Sequence, residues 1–179
     1  MHEIIWYGRG GQGAFTAARL LGISAVNEGL FALAFPTFGP ERRGAPVSSF
    51  TKIGKNKILD RSESKSAHFA IVLDESLFSD EILKNLRDDG VLIINTKDGT
   101  KYKDIKQEVI SLDANALALE ILKKPIVNTA LLGAFIAKFD LISLKSAKDA
   151  ISDELKPIVA QKNIELLEKV YKRVKNEKA

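Results

Sequence analysis

The sequence predicts an α/β fold in which helices cover both faces of a doubly wound, mostly parallel sheet that carries a short antiparallel hairpin insert. Three observations predict it. Short apolar runs alternate with helix-length segments along the chain. A glycine-rich turn joins the first apolar run to the first helical segment. One stretch, residues 47–54, instead alternates apolar and polar side chains and leads into a turn.

The first elements follow from local patterns. Residues 3–7 (EIIWY) form an apolar run typical of a buried strand, and residues 14–28 have the apolar spacing of a helix. Residues 30–35 predict a second strand. Residues 35–46 (FPTFGPERRGAP) contain three of the five prolines and two glycines, so they predict a loop, called the proline–arginine loop below.

The remaining elements alternate in the same way. After strand 47–54, the Gly-Lys-Asn turn and residues 57–60 (KILD) predict a short return strand, which completes the hairpin. Apolar runs predict three further strands, over 68–74, 91–96 and 108–113. Helical spacing predicts helices over 76–86, 114–124, 127–139, 143–155 and 157–175.

Composition narrows the possible functions. A chain of 179 residues predicts one domain, 1–179. No cysteine is present, which excludes thiolate metal sites and thiol catalysis, and His2 and His68 lie far apart in sequence, which argues against a metal site. No apolar run reaches the ~18 residues of a membrane span, and the N-terminus lacks signal-peptide features, so we expect a cytoplasmic protein that binds no membrane.

The positive charge is confined to one end. From Lys156 onward there are seven Lys/Arg and three Glu, a surplus of four that equals the whole net charge of +4. A neutral body with one basic terminal helix is a weak indication of nucleic-acid binding, and a solvated helix face explains it as well. We expect no nucleic-acid partner.

A glycine loop over residues 8–13 is the first candidate binding site. Its sequence, Gly8-Arg9-Gly10-Gly11-Gln12-Gly13, contains G-x-G-x-x-G between a predicted strand and a predicted helix. This arrangement is typical of Rossmann-like folds, in which backbone approaches a diphosphate and the helix N-terminus offers N–H groups to an anion.

Three interpretations of the glycine loop remain open. NAD binding normally needs an acidic residue at the end of the second strand, but that strand runs into Pro36-Thr37, and Glu28 precedes it. A second interpretation is a turn that only allows the helix to pack on the sheet. The third is a site for a phosphate-bearing ligand other than a dinucleotide.

The proline–arginine loop is the second candidate. Fold logic places it at the carboxyl edge of the sheet beside the glycine loop. Arg42 could bind a phosphate or carboxylate, whereas Phe38, Glu41 and Arg43 are of the types found in subunit interfaces or internal ion pairs.

Taken together, these motifs resemble a known family. Residues 8–13 (GRGGQG), 34–46 (AFPTFGPERRGAP), 71–75 (IVLDE), 90–96 (GVLIINT) and 127–133 (VNTALLG) resemble the gamma subunit of pyruvate:ferredoxin (flavodoxin) oxidoreductases, also called pyruvate synthases. The resemblance covers essentially the whole chain, and the combination of the glycine loop with FGPERRGAP makes it specific.

The resemblance implies a place in an assembly. The family converts pyruvate, CoA and an oxidised acceptor to acetyl-CoA, CO2 and a reduced acceptor. It implies that thiamine diphosphate, magnesium and iron–sulfur clusters lie on alpha, beta and delta partner subunits, and that ferredoxin or flavodoxin docks through the complex. The isolated chain would then be inactive and hold no catalytic residue. Its role would be structural and CoA-facing, with Arg9, Gly10, Gln12 and Arg42 near the CoA entry or at a subunit seam.

Alternatives accompany this interpretation. The 2-oxoglutarate branch, or another 2-oxoacid branch, of the same family would share these motifs. A free-standing Rossmann oxidoreductase that uses NAD would be active without partners. A nucleotide-binding regulatory module would be a monomer without an obligate partner.

Overall fold

The computed structural model describes residues 1–37 and 44–176. Six strands form one sheet in the order β2-β3-β1-β4-β5-β6. The strands are β1 (His2–Arg9), β2 (Phe31–Pro36), β3 (Pro46–Gly54), β4 (Ala67–Val72), β5 (Leu86–Asn95) and β6 (Glu108–Leu112). The helices are α1 (Ala14–Asn27), α2 (Asp80–Lys84), α3 (Ala114–Leu122), α4 (Asn128–Lys138), α5 (Leu144–Glu154) and α6 (Pro157–Asn176).

Most of the sheet is parallel, as the sequence predicts. β1, β4, β5 and β6 pair in parallel. β3 runs antiparallel between β1 and β2. The direction of the crossovers reverses between β1 and β4, and at such a point α/β sheets leave a crevice at the carboxyl edge.

The predicted hairpin over 47–60 is wrong in its second half. Residues 46–54 form one strand, β3, but 55–66 form none. Both edges of β3 are already occupied by β1 and β2, which leaves no edge for a return strand. The carboxylate of Asp60 instead forms an ion pair at 2.6 Å with the fully buried ammonium of Lys52, and this contact holds the segment as a loop.

The helix predicted over 76–86 is also shorter than expected. A 3₁₀ turn spans Glu75–Leu77, and α2 begins only at Asp80. The carboxylate of Asp74 accepts the backbone N–H of Ser76 and so caps that separate turn.

Helices lie on both faces, but unequally. α1, α3, α4, α5 and α6 build the larger core against one face of the sheet. α2 and the two 3₁₀ turns, Glu75–Leu77 and Gly99–Tyr102, cover part of the other face.

Two contacts fix the larger layer. The Trp6 indole N–H donates to the Thr51 hydroxyl at 3.1 Å, and that hydroxyl donates to the Ala18 carbonyl at 2.9 Å, which ties the sheet to α1. On the outer side, a Cβ at Gly133 would lie 2.7 Å from the Leu167 carbonyl oxygen, so α4 and α6 touch backbone to backbone. α4 is therefore enclosed between the sheet and α6.

Candidate functional site: the glycine loop and its crevice

The glycine loop lies where the sequence predicts it, between the end of β1 and the start of α1. Gly13 occupies the N-cap position of α1 with φ +82°. A Cβ there would lie 2.6 Å from the Asn128 Nδ2 atom at the start of α4. Gly11 has φ +93°, and no atom of residues 1–37 and 44–176 beyond its chain neighbours lies within 4 Å of the corresponding position, so these residues leave the crest of the loop open. Gly13 is needed for packing, whereas Gly11 makes no such contact with the described residues.

Arg9 is held by a network of hydrogen bonds. Its Nε donates to Asp74 Oδ2 at 3.1 Å, its Nη1 to the Gly44 carbonyl at 3.1 Å and its Nη2 to the Ser76 hydroxyl at 2.8 Å. Gln12 completes the network, because its Nε2 donates to Asp74 Oδ2 at 2.9 Å and its Oε1 accepts the Arg9 backbone N–H at 2.8 Å. The guanidinium therefore fixes the conformation of the loop.

Asp74 is the acceptor at the centre of this network. Its side chain is 23% exposed. Burial raises its pKa, but hydrogen bonds from Ser76 and Gln12 and the charge of Arg9 outweigh burial and leave the pKa below its ordinary value. Asp74 is consequently ionised at neutral pH and stays paired with Arg9.

The described end of the proline–arginine loop is bonded to the glycine loop. The Gly10 N–H donates to the Ala45 carbonyl at 2.8 Å, and the Gly44 N–H donates to the Gly10 carbonyl at 3.1 Å. These bonds confirm that the two loops lie side by side. Four residues of the candidate site lie outside the described residues: Phe38, Glu41, Arg42 and Arg43.

A crevice of about 360 Å³ opens at the carboxyl edge beside the glycine loop. Gln12, Asp74 and Asn95 line it. Asn95 is buried, and both ends of its amide are hydrogen-bonded: its Nδ2 donates to the Leu73 carbonyl at 2.9 Å and its Oδ1 accepts the Ala114 N–H at 3.0 Å. Glu75 pairs with Lys101 at 2.9 Å on the rim, so the crevice mixes both signs of charge.

The first backbone N–H groups of α1 are not capped by a side chain of the described residues. The first turn of α1 also holds no acidic residue. The first N–H groups of a helix have no partner within the helix, so they are available to an anion at the open crest of the glycine loop.

Two site residues escaped the sequence reasoning in these roles: Asn95 and Asn128. A sequence signal existed for Asn95, because it ends a buried strand at the carboxyl edge, where ligand-facing side chains gather in α/β sheets. Asn128 gave no such signal, since its contact with Gly13 joins residues far apart in the chain.

Two residues weighed for other roles are used elsewhere. Glu28 accepts the Ser143 N–H at 2.9 Å and the Ser146 hydroxyl at 2.7 Å, at the opposite end of α1 from the glycine loop. His2 and His68, distant in sequence, meet on β1 and β4 with ring centroids 5.2 Å apart. No group of three metal-ligating side chains forms within residues 1–37 and 44–176.

Within those same ranges no helix is long and apolar enough to cross a bilayer.

Comparison with known proteins gives consistent results. The family model described as pyruvate ferredoxin/flavodoxin oxidoreductase matches residues 3–173. Pyruvate synthase subunit PorC of Methanocaldococcus jannaschii is 43% identical over 173 residues, covering 96% of each chain. The common gamma subunit of the pyruvate/ketoisovalerate oxidoreductases of Pyrococcus furiosus is 38% identical over 179 residues, covering 97% of each chain.

A solved structure shows the same fold. The crystal structure of pyruvate oxidoreductase subunit PORC from Thermotoga maritima matches with a TM-score of 0.84 and 32% identity, covering 96% of this chain and 95% of that one. The similarity therefore extends over the whole sheet and its helices.

Proposed function

The chain belongs to the pyruvate ferredoxin/flavodoxin oxidoreductase family, and on that premise we propose that it is the gamma subunit of a multi-subunit pyruvate:ferredoxin oxidoreductase. The complex converts pyruvate, CoA and an oxidised acceptor to acetyl-CoA, CO2 and the reduced acceptor. The observation that carries the proposal is similarity over the full length to chains named as subunits of such enzymes. The same similarity argues against a free-standing nucleotide-binding protein. That residues 1–179 form a single domain stays a prediction.

The composition supports a division of labour between subunits. The chain has no cysteine and so offers no thiolate to an iron–sulfur cluster. We place the clusters, thiamine diphosphate and magnesium on the alpha, beta and delta partners, with ferredoxin or flavodoxin as the acceptor of electrons. The isolated chain is then inactive, and its residues bind and orient.

The glycine loop is the part we assign to CoA. CoA carries a diphosphate, and the loop offers an open crest at Gly11, unspent N–H groups at the start of α1 and a crevice beside them. Arg9 and Gln12 hold the loop in shape through Asp74. Arg42 is proposed as a further phosphate contact from its place in the sequence.

The test is the dependence of the assembled enzyme on CoA. Arg42→Ala is expected to raise the KM for CoA by about tenfold, the loss of one charge-assisted hydrogen bond. Arg9→Ala is expected to raise it too, because the loop loses the hydrogen bonds that hold its shape. The KM for pyruvate stays unchanged in both variants. Arg87→Ala is the matched control, because Arg87 is an exposed arginine paired with Asp89. If both variants assemble with an unchanged KM for CoA, the assignment of the loop fails while the gamma-subunit role stands.

A second candidate concerns the substrate. The Pyrococcus furiosus relative is named as common to pyruvate and ketoisovalerate oxidoreductases, so one gamma chain can serve two 2-oxoacids. We propose that partner subunits set the choice of 2-oxoacid. Assay of the purified complex on pyruvate, 2-ketoisovalerate and 2-oxoglutarate tests this, and a single complex that uses pyruvate only favours the first proposal.

A further inference from the structure

β2 is an edge strand without the usual protection against pairing. It lies at the end of the sheet and pairs only with β3 among the described residues. Its sequence, FALAFP, carries no charge, and only the terminal Pro36 lacks an N–H. The opposite edge strand, β6, carries Glu108, which is ion-paired with Lys138. Because an exposed apolar edge strand can pair with a strand of another chain, β2 is the edge at which we expect a partner strand to bind.

The outward backbone groups of β2 can be assigned. The Thr37 N–H donates to the Ser48 carbonyl of β3 at 2.9 Å. Successive residues of a strand direct their N–H and C=O groups to opposite edges, so Phe35 and Leu33 point toward β3. Ala34 and Ala32 therefore present their N–H and C=O groups at the free edge.

The sequence of this edge strand is palindromic. Residues 31–35 read Phe-Ala-Leu-Ala-Phe in both directions. We propose that a second copy of this chain pairs with β2 in antiparallel register about a two-fold axis at Leu33. In that register Ala32 lies opposite Ala34 of the second copy, and each such pair exchanges two hydrogen bonds. Leu33 lies opposite itself, and Phe31 lies opposite Phe35.

The surroundings of β2 suit the same occupant. Ala32 and Ala34 turn their methyl groups toward Gly22 of α1, and a cleft of about 260 Å³ lies between α1 and β2. Val26 and Phe31 at this edge are 57% and 48% exposed. Pairing would cover Val26 and Phe31 and extend the sheet across a closed two-fold interface. The inference stands apart from the proposed function, since it uses neither the glycine loop nor the crevice.

The test exploits the self-contact at residue 33. Sedimentation velocity of the full chain is expected to give a dimer, and Leu33→Lys and Leu33→Glu are each expected to weaken dimerisation by about tenfold or more, because like charges then face each other. Mixing the two variants in equal amounts restores the dimer only if residue 33 meets itself. Leu59→Lys, at a side chain that is 78% exposed on another part of the chain, is the control and remains dimeric.

A second variant guards against misfolding. Ala34→Pro removes an outward N–H and leaves the bonds to β3 intact, so it should be monomeric with an unchanged circular dichroism spectrum. A wild-type chain that is monomeric at high concentration overturns the proposal. So does protection of β2 from hydrogen exchange that arises only when another subunit binds, and so does a mixture of the two charge variants that stays monomeric.

Discussion

Gly13→Ala tests the packing of the glycine loop against α4. Alanine in the left-handed region costs about 1–2 kcal/mol. The new Cβ would also lie 2.6 Å from Asn128 Nδ2, so Asn128 has to move. Its Oδ1 accepts the Thr129 N–H at 2.9 Å in a buried position, and loss of such a bond costs a further ~1–3 kcal/mol. We therefore expect a destabilisation of about 2–5 kcal/mol.

Gly29→Ala is the matched control. Gly29 has φ +78°, close to that of Gly13, but in the part of the chain that the structure describes no atom beyond its chain neighbours lies within 4 Å of its Cβ position. The free energy of unfolding of Gly29→Ala should therefore fall only by the ~1–2 kcal/mol that alanine costs in the left-handed conformation. Urea unfolding followed by fluorescence of the buried Trp6 measures both variants. In an Asn128→Ala background the extra cost at Gly13 should largely vanish. Equal costs at Gly13 and Gly29 would refute the packing argument.

The other stability predictions concern buried charge and pH. The buried ammonium of Lys52 lies 3.2 Å from Glu3 and 2.6 Å from Asp60, so Glu3→Gln with Asp60→Asn should destabilise the fold by leaving a buried charge unpaired. Lys52→Met should cost less, and the reverse order in urea unfolding would count against this reasoning. Burial, and then the charge of Arg87, lower the pKa of His68. The stabilisation that neutral His68 gives the folded state is therefore complete above its pKa in the unfolded chain, about 6.5. It is lost as the pH falls through its lower pKa in the folded chain. His68→Asn, whose amide oxygen can still accept the Glu3 N–H, should be less sensitive than wild type between pH 7.5 and 5.5, and an unchanged difference between the two pH values would contradict this.

The order of elements could be predicted because it depends on local patterns. Apolar runs and helical spacing identify β1, α1 and α4 directly, since buried strands and helices differ in period and length. The glycine loop was found for the same reason: its glycines lie close together between a strand and a helix.

Partners across the sheet were not predictable in this way. The place of β3 between β1 and β2 depends on which edges are free, and no local pattern records that. The Lys52–Asp60 pair overrode the strand-like pattern of KILD.

Contacts within the site show the same limit. Arg9 was expected to face a ligand, but it is engaged by Asp74 from β4's carboxyl end, which lies 65 positions along the chain. Such a contact follows from the parallel pairing of β1 with β4 and becomes visible only in three dimensions. The ligand role of Arg9 stays a prediction.

Membership of a working oxidoreductase complex can be tested by a single purification and assay. The tagged full chain is purified anaerobically from its native cells and assayed for dye reduction. We expect recovery with cysteine-rich and thiamine diphosphate-binding chains, and dye reduction that requires pyruvate, CoA and thiamine diphosphate. Recovery of the chain by itself, with no such activity in the purified fraction, would contradict it.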